Sequence, residues 1–303
     1  MTDKTKAWND FWAQQRAGKS APRCLPASWQ SVFGVLESRW CAFAGELADI
    51  AEVLDLATGD ARVLRWLGDT KPGLVRIGID LSPNLPPAPP GIEIRTDTAM
   101  EDLPFDDGRF DAVVSQFGVE YGDTPSVAAE IGRVVKEGAR IAFVVHRGDG
   151  AILKHNLGRA QQIRWVIDEA DLIGATKQAI GREDRPWNAA TQAAADMAAE
   201  GRTRFGDNAA GWEIPEAVRR TLIMGARAQD SVDGVGSMLD RIAEEARNEL
   251  VRIGALEGAC ATVDARQTFL PTFEKAGLKL TDREELHDAA GRLFAEMLHF
   301  ERG

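Results

Sequence analysis

Five apolar runs between positions 52 and 145 frame the chain. EVLDL (52–56), LVRIGID (74–80), FDAVVS (110–115) and ARIAFVV (139–145) are rich in Val, Ile, Leu and Phe, and the shorter IEIRT (92–96) sits among them. Continuous rather than alternating apolar character is what strands show when helices cover both faces of their sheet. Helix-period segments lie between: ARVLRWLG (61–68) after the first strand, and PSVAAEIGRVVKEG (125–138), with proline at its start and glycine at its end, before the last. NLPPAPPG (84–91) is a loop, because its prolines remove amide donors and restrict the backbone. Strands and helices in this order predict an α/β fold with a largely parallel sheet.

Past Val145 the period changes. Leu153, Leu157, Ala160, Ile163 and Ile167 recur at helical spacing, and Val235, Leu239, Ile242, Ala246, Leu250 and Ile253 do so again. Such stripes are packing surfaces, so a helical interval follows the fifth strand. TFLPTFEKAGLKLTDREEL (268–286) then reads as a helix leading into a strand, and GRLFAEMLHFERG (291–303) as a final strand.

Composition narrows the function classes. A formal net charge of −11 disfavours a nucleic-acid partner. Arg159, Arg164, Arg202 and Arg204 stand among acidic residues, as on a solvated helical surface. The sequence shows no membrane span and no signal peptide. Cys24, Cys41 and Cys260 are widely spaced and odd in number, which suits a reducing cytoplasm and supplies neither a disulfide framework nor a metal cluster. The expectation is a cytoplasmic protein with a small-molecule substrate, no metal and no membrane. Nothing in the sequence selects an oligomeric state.

The chemistry concentrates where strands end. VLDLATGDARVL (53–64) places Asp55 at a strand end, and the ATGD turn leads into the next helix. Gly59 permits a tight turn or close ligand approach, whereas Ala57 and Ala61 stand where nucleotide loops often carry glycine. The first amides of the helix form a polar cradle for phosphate, ribose or another polar ligand group. Asp80, roughly twenty residues on, is placed to accept ribose hydroxyls, or to cap its strand end. A ribose occurs in both nicotinamide and S-adenosylmethionine (SAM) cofactors, so Asp80 does not choose between them.

VLDLATGDARVL, IGIDLSP and AMEDLPFDDGRFDAVVSQFGVEY in succession resemble the class I SAM-dependent methyltransferase family over most of residues 50–146. The resemblance implies a Rossmann-like sheet flanked by helices, with a helical insertion after strand five and an antiparallel terminal strand pair. It further implies an amino-terminal helical arm or lid (1–49), a SAM-binding core (50–150) and a carboxyl-terminal completion of the core (262–303); the helical interval (151–261), by its position after the fifth strand, suits a cap over a substrate pocket. By the family's pattern, Asp55, Ala57 and Gly59 wrap the methionyl part of SAM, Asp80 and Leu81 take the ribose side, and Ala99 and Met100 hold adenine. The sequence departs from the family by Ala57 and Ala61 in the loop, and by Ala99 where an aspartate often meets the adenine amino group; Asp97 or Glu101 is placed to replace that acceptor, and either equally suits a residue facing water.

Methyl transfer needs alignment and exclusion of water. At the ends of strands four and five, Gln116 and Phe117 are placed to shape the methyl channel. Glu120, Tyr121 and His146 are placed to orient or deprotonate the acceptor. Glu120 equally suits a helix start or an arginine partner, and His146 a structural histidine. Trp8 or Phe11 is a candidate lid residue, and Trp12, Trp29 and Trp40 equally suit helix packing. The expected activity is methyl transfer from SAM, with S-adenosylhomocysteine (SAH) as product. The alternatives are a NAD-dependent oxidoreductase and a noncatalytic SAM-binding regulator.

Overall fold

The computed structural model describes residues 3–17, 29–181 and 187–303; Cys24 falls outside them. Seven strands form one sheet: β1 (Glu52–Leu56), β2 (Val75–Ile79), β3 (Ile92–Arg95), β4 (Phe110–Gln116), β5 (Val135–Val145), β6 (Leu278–His287) and β7 (Leu293–Arg302). Their order is β3-β2-β1-β4-β5-β7-β6. The first five are parallel; β7 runs antiparallel to both β5 and β6. This is the Rossmann-like arrangement with an antiparallel terminal pair that the sequence resemblance implies.

Ten α-helices accompany the sheet among the described residues: α1 (Asp3–Arg16), α2 (Gln30–Glu46), α3 (Arg62–Thr70), α4 (Thr124–Val134), α5 (Ala151–Arg164), α6 (Leu172–Ile180), α7 (Asn188–Phe205), α8 (Ala210–Ala228), α9 (Val232–Asp264) and α10 (Arg266–Lys275). The chain steps one way along the sheet from β1 to β2 and the other way from β4 to β5. Right-handed crossovers therefore set α3 and α4 on opposite faces. The reversal between β1 and β4 opens a crevice at the carboxyl ends of those strands, the usual ligand position in such sheets. Phe143 and Phe300 of the sheet pack with Phe273 of α10, all fully buried and with ring centroids 5.2–5.5 Å apart.

One element departs from its sequence reading. The helix expected over 125–138 stops at Val134, and residues 135–138 already belong to β5. Val134 and Val135 favour the pleated state, and Gly138, at φ +73°, does not end a helix but lies inside the strand. An irregularity opposite Phe110 and Ala112 absorbs the misfit in register.

The chain divides into two compact units, residues 1–154 with 254–303, and residues 155–253. The described residues of the second form helices and the turns between them. Its two apolar stripes meet: Ala160, Ile163 and Ile167 share a cluster with Ala246 and Ile253, and Leu157 and Leu250 flank it. Helices α7 and α8 approach so closely that a Cβ on Gly201 would lie 1.9 Å from the Gly211 carbonyl oxygen. Arg159 is not the solvated residue that the local charge pattern suggests. Its guanidinium is largely buried, bonded to Glu249 through Nε at 2.6 Å and to Glu213 at 3.0 Å. Among the described residues no helix is long and apolar enough to cross a membrane.

Candidate active site

The loop after β1 keeps the path of a glycine-rich turn without most of the glycines. Ala57, Gly59 and Ala61 all take positive φ, at 57°, 53° and 55°. For alanine this conformation costs about 1–2 kcal/mol per residue, because Cβ crowds the following carbonyl. What holds the turn is hydrogen bonding. The Thr58 hydroxyl donates to Asp55 Oδ2 at 2.7 Å, and the Thr58 amide donates to the Ile79 carbonyl at 2.8 Å. The Gly59 amide donates to Asp80 Oδ2 at 3.0 Å, and the Ser82 amide to Asp80 Oδ1 at 2.9 Å. Exchanging both alanines for glycine is expected to stabilise the fold by about 1 kcal/mol net, the released strain outweighing the extra unfolded-state entropy of glycine. A urea midpoint that rises checks this; one that falls contradicts it.

Asp55 and Asp80 are both buried, and their charges oppose one another across the loop. Burial, with the charges of Asp80 and Asp60 adding to it, pushes the Asp55 carboxyl up to about 8 against the lowering effect of the Thr58 hydroxyl. Burial also raises Asp80, opposed by its bonds from the Ser82 and Gly59 amides. Beside Asp80, Leu81 is 54% exposed. The Thr98 amide bonds to the Asp80 carbonyl at 3.0 Å, which ties the 97–100 loop to the end of β2 and brings half-buried Ala99 and Met100 toward the same edge. Of the two substitute acceptors, Glu101 already receives the Asp123 amide on Oε1 at 2.9 Å, and Asp97 is an exposed residue at φ +51°.

At the end of β4 the indole Nε1–H of buried Trp40 donates to Gln116 Oε1 at 2.9 Å. An indole N–H only donates, so the amide orientation follows and the NH2 of Gln116 is the end left for other partners. Phe117 adopts φ +57°, an uncommon conformation for an aromatic residue. Its ring lies against the His146 imidazole with centroids 4.2 Å apart and 33° between planes. Gly118 admits no side chain, since a Cβ there would lie 2.6 Å from Ser115 Oγ and 2.7 Å from Ala57 Cβ.

Glu120 and His146 meet as a pair. Glu120 Oε1 lies 2.8 Å from His146 Nδ1 and accepts the His146 backbone amide at 3.0 Å. A carboxylate accepts only, so the nitrogen that faces it, Nδ1, is the donor, and Nε2 is the nitrogen turned away from the carboxylate. Glu120 is 2% exposed, and its Oε2 has no hydrogen-bond partner. Tyr121 stands edge-on to the imidazole at 5.9 Å, and Trp8 of α1 edge-on to Tyr121 at 6.0 Å.

Asp55, Ala57, Gly59 and Asp80 thus gather in one hydrogen-bonded loop pair, and Glu120, Tyr121 and His146 in one aromatic corner. Leu81, Ala99 and Met100 lie along the β2 side. Two contributors escape sequence reasoning. Trp40 orients Gln116 from 76 residues away, and Thr58 ties Asp55 to the turn. Only a threonine beside the loop's acidic residue hints at the second. Among the described residues no group of three or more His, Cys, Asp or Glu is placed to hold a metal.

The sequence pattern described as "Methyltransferase domain" matches residues 54–143, the stretch from β1 through β5 that carries this loop and Gln116. Residues 54–143 therefore carry a methyltransferase domain. Similar solved structures include a chain of the Haloferax volcanii complex between the Trm112 methyltransferase activator and a methyltransferase, at 14% identity over 97% of this chain and 95% of that one, with a TM-score of 0.47. Another is an S-adenosylmethionine-dependent methyltransferase from Mesorhizobium loti, at 12% identity over 88% and 98% of the two chains, with a TM-score of 0.41. No curated protein matches the chain in sequence. Of the residues the family's cofactor would meet, Asp80 follows the end of β2 and Leu81 is exposed, while the Thr58, Gly59 and Ala61 amides are bonded within the protein.

Proposed function

We propose that this methyltransferase methylates a small molecule bearing a removable proton, and that His146, oriented by Glu120, takes that proton. The Glu120–His146 contact at 2.8 Å carries the reading, because it directs the basic lone pair of the imidazole away from the carboxylate. When bound, SAM supplies an electrophilic methyl group and a sulfide leaving group. Asp55, Ala57 and Gly59 are proposed to hold its methionyl part, Asp80 and Leu81 the ribose side, and Ala99 and Met100 the adenine. Gln116 presents its NH2 between these and the acceptor. The aromatic faces of Phe117 and Tyr121 keep water from the acceptor corner, and Tyr121 orients the acceptor.

Asp80 tests the donor side directly. Asp80→Ala removes the acceptor of two loop amides together with the proposed ribose acceptor, so SAH affinity measured by calorimetry is expected to fall at least about tenfold, or about 1.4 kcal/mol. Unchanged SAH affinity, or tight NADH binding by a wild-type protein that ignores SAH, would reject the assignment.

The helical unit is proposed to serve as the cap that adapts the domain to its acceptor. Connectivity supports this, since α5 begins five residues after His146. Slower hydrogen exchange within residues 155–253 on adding SAH and acceptor is the expected result, and unchanged exchange throughout counts against the role.

A further inference from the structure

Helix α1 carries two indoles one turn apart, Trp8 and Trp12, so both project from the same face. They meet different parts of the site. A Cβ built on Gly59 would lie 2.6 Å from two carbons of the Trp12 ring, so the indole rests directly on the glycine with no layer between them. Trp8 meets Tyr121 edge-on at 6.0 Å, and Tyr121 in turn meets His146. Phe11 braces both indoles edge-on, at 5.7 Å from Trp8 and 5.1 Å from Trp12. It and the fully buried Ala7 anchor the helix.

Gly59 belongs to the turn proposed above to hold the methionyl part of the donor, and Tyr121–His146 to the corner proposed for the acceptor. A lid lies outside a bound ligand and touches it from above. The Trp12 ring instead lies against Gly59 itself, within the loop proposed to hold the donor. From this contact we infer that α1 is a self-docked plug: Trp12 and the donor compete for the same face of Gly59, while Trp8 covers the acceptor corner, so docking of the first helix and binding of the donor exclude one another. The inference rests on the donor site as proposed above. Its consequence is a reduced apparent donor affinity, because only the fraction of molecules with α1 undocked can bind. Glycine at position 59 has a second role in this account, since any side chain there would strike the plug as well as strain the turn.

The full-length protein tests this in two ways, with SAH as the probe. Hydrogen exchange of residues 3–16 is expected to speed up when SAH is added, since the ligand displaces the helix. Calorimetry on Trp12→Ala is expected to give SAH affinity about tenfold tighter than wild type, through loss of the competing ring. Slower exchange of residues 3–16 together with weaker binding by Trp12→Ala would make α1 a lid and overturn the plug, while leaving the donor site intact. Unchanged exchange with unchanged affinity would likewise overturn it. Absence of SAH binding by both proteins would remove the donor reading itself, and the plug with it. The exchange measurement needs no variant, so a misfolded Trp12→Ala protein would not shield the inference.

Discussion

His146→Gln is expected to lower the turnover of methyl transfer by about 10²–10⁴-fold, the usual worth of a positioned general base, while SAH affinity stays within about threefold of wild type. The separation follows from the geometry. His146 closes the acceptor corner with Phe117 and Tyr121, whereas the loop amides and Asp80 stand apart from it in a network of their own. Glu120→Gln sharpens the test. Glu120 Oε1 accepts both Nδ1 and the His146 backbone amide, so in the variant the side-chain carbonyl takes that place, the tautomer is kept and only the negative charge beside the ring is lost. That variant is expected to lower turnover, by less than His146→Gln does. Full turnover in Glu120→Gln would show that the carboxylate charge plays no part in the reaction; loss of SAH binding in His146→Gln would place the histidine on the donor side.

The second large effect is on stability. Asp55 is protonated in the native loop up to about pH 8, whereas in the unfolded chain it ionises near its ordinary value of 3.8. Between these values the folded state binds more protons than the unfolded state, so the slope of stability with pH is negative. The contribution of Asp55 is full below pH ~4, declines as pH rises, and is gone above pH ~8. The total is on the order of 5 kcal/mol for a fully buried carboxyl. Asp55→Asn keeps an acceptor for the Thr58 hydroxyl and removes the titration. The thermal midpoint of the variant is therefore expected to gain on wild type steadily from pH 5 to pH 8 and to hold its lead above. Parallel curves across that range would mean that Asp55 is already ionised in the folded loop.

How much of this is legible in the sequence depends on the range of the interaction involved. The sheet is local in origin: unbroken apolar runs mark β1, β2, β4 and β5, and their spacing leaves room for crossover helices. The ligand edge follows from topology, so Asp55, Asp80 and the residues after β4 come together once the strands are ordered. The end of α4 was hidden because Gly138 looks like a helix stop, while two consecutive valines and a register shift with β4 decide the matter. The left-handed conformation of Ala57 and Ala61 was hidden too, since alanine carries no signal for positive φ and only the bonds of Thr58 and Gly59 reveal what enforces it. Trp12 on Gly59, Trp40 on Gln116 and Arg159 with Glu249 are contacts between residues far apart in sequence. No periodicity distinguishes such a residue from one that fills a core or faces water.

Incubating the purified protein with methyl-labelled SAM and a small-molecule extract tests the central claim most directly. Label is expected to pass to one class of small molecule, in amounts that fall by about 10²-fold or more with His146→Gln. A protein that binds SAH yet transfers no label to any small molecule would contradict the account and leave the chain a SAM-binding module without methyltransferase activity.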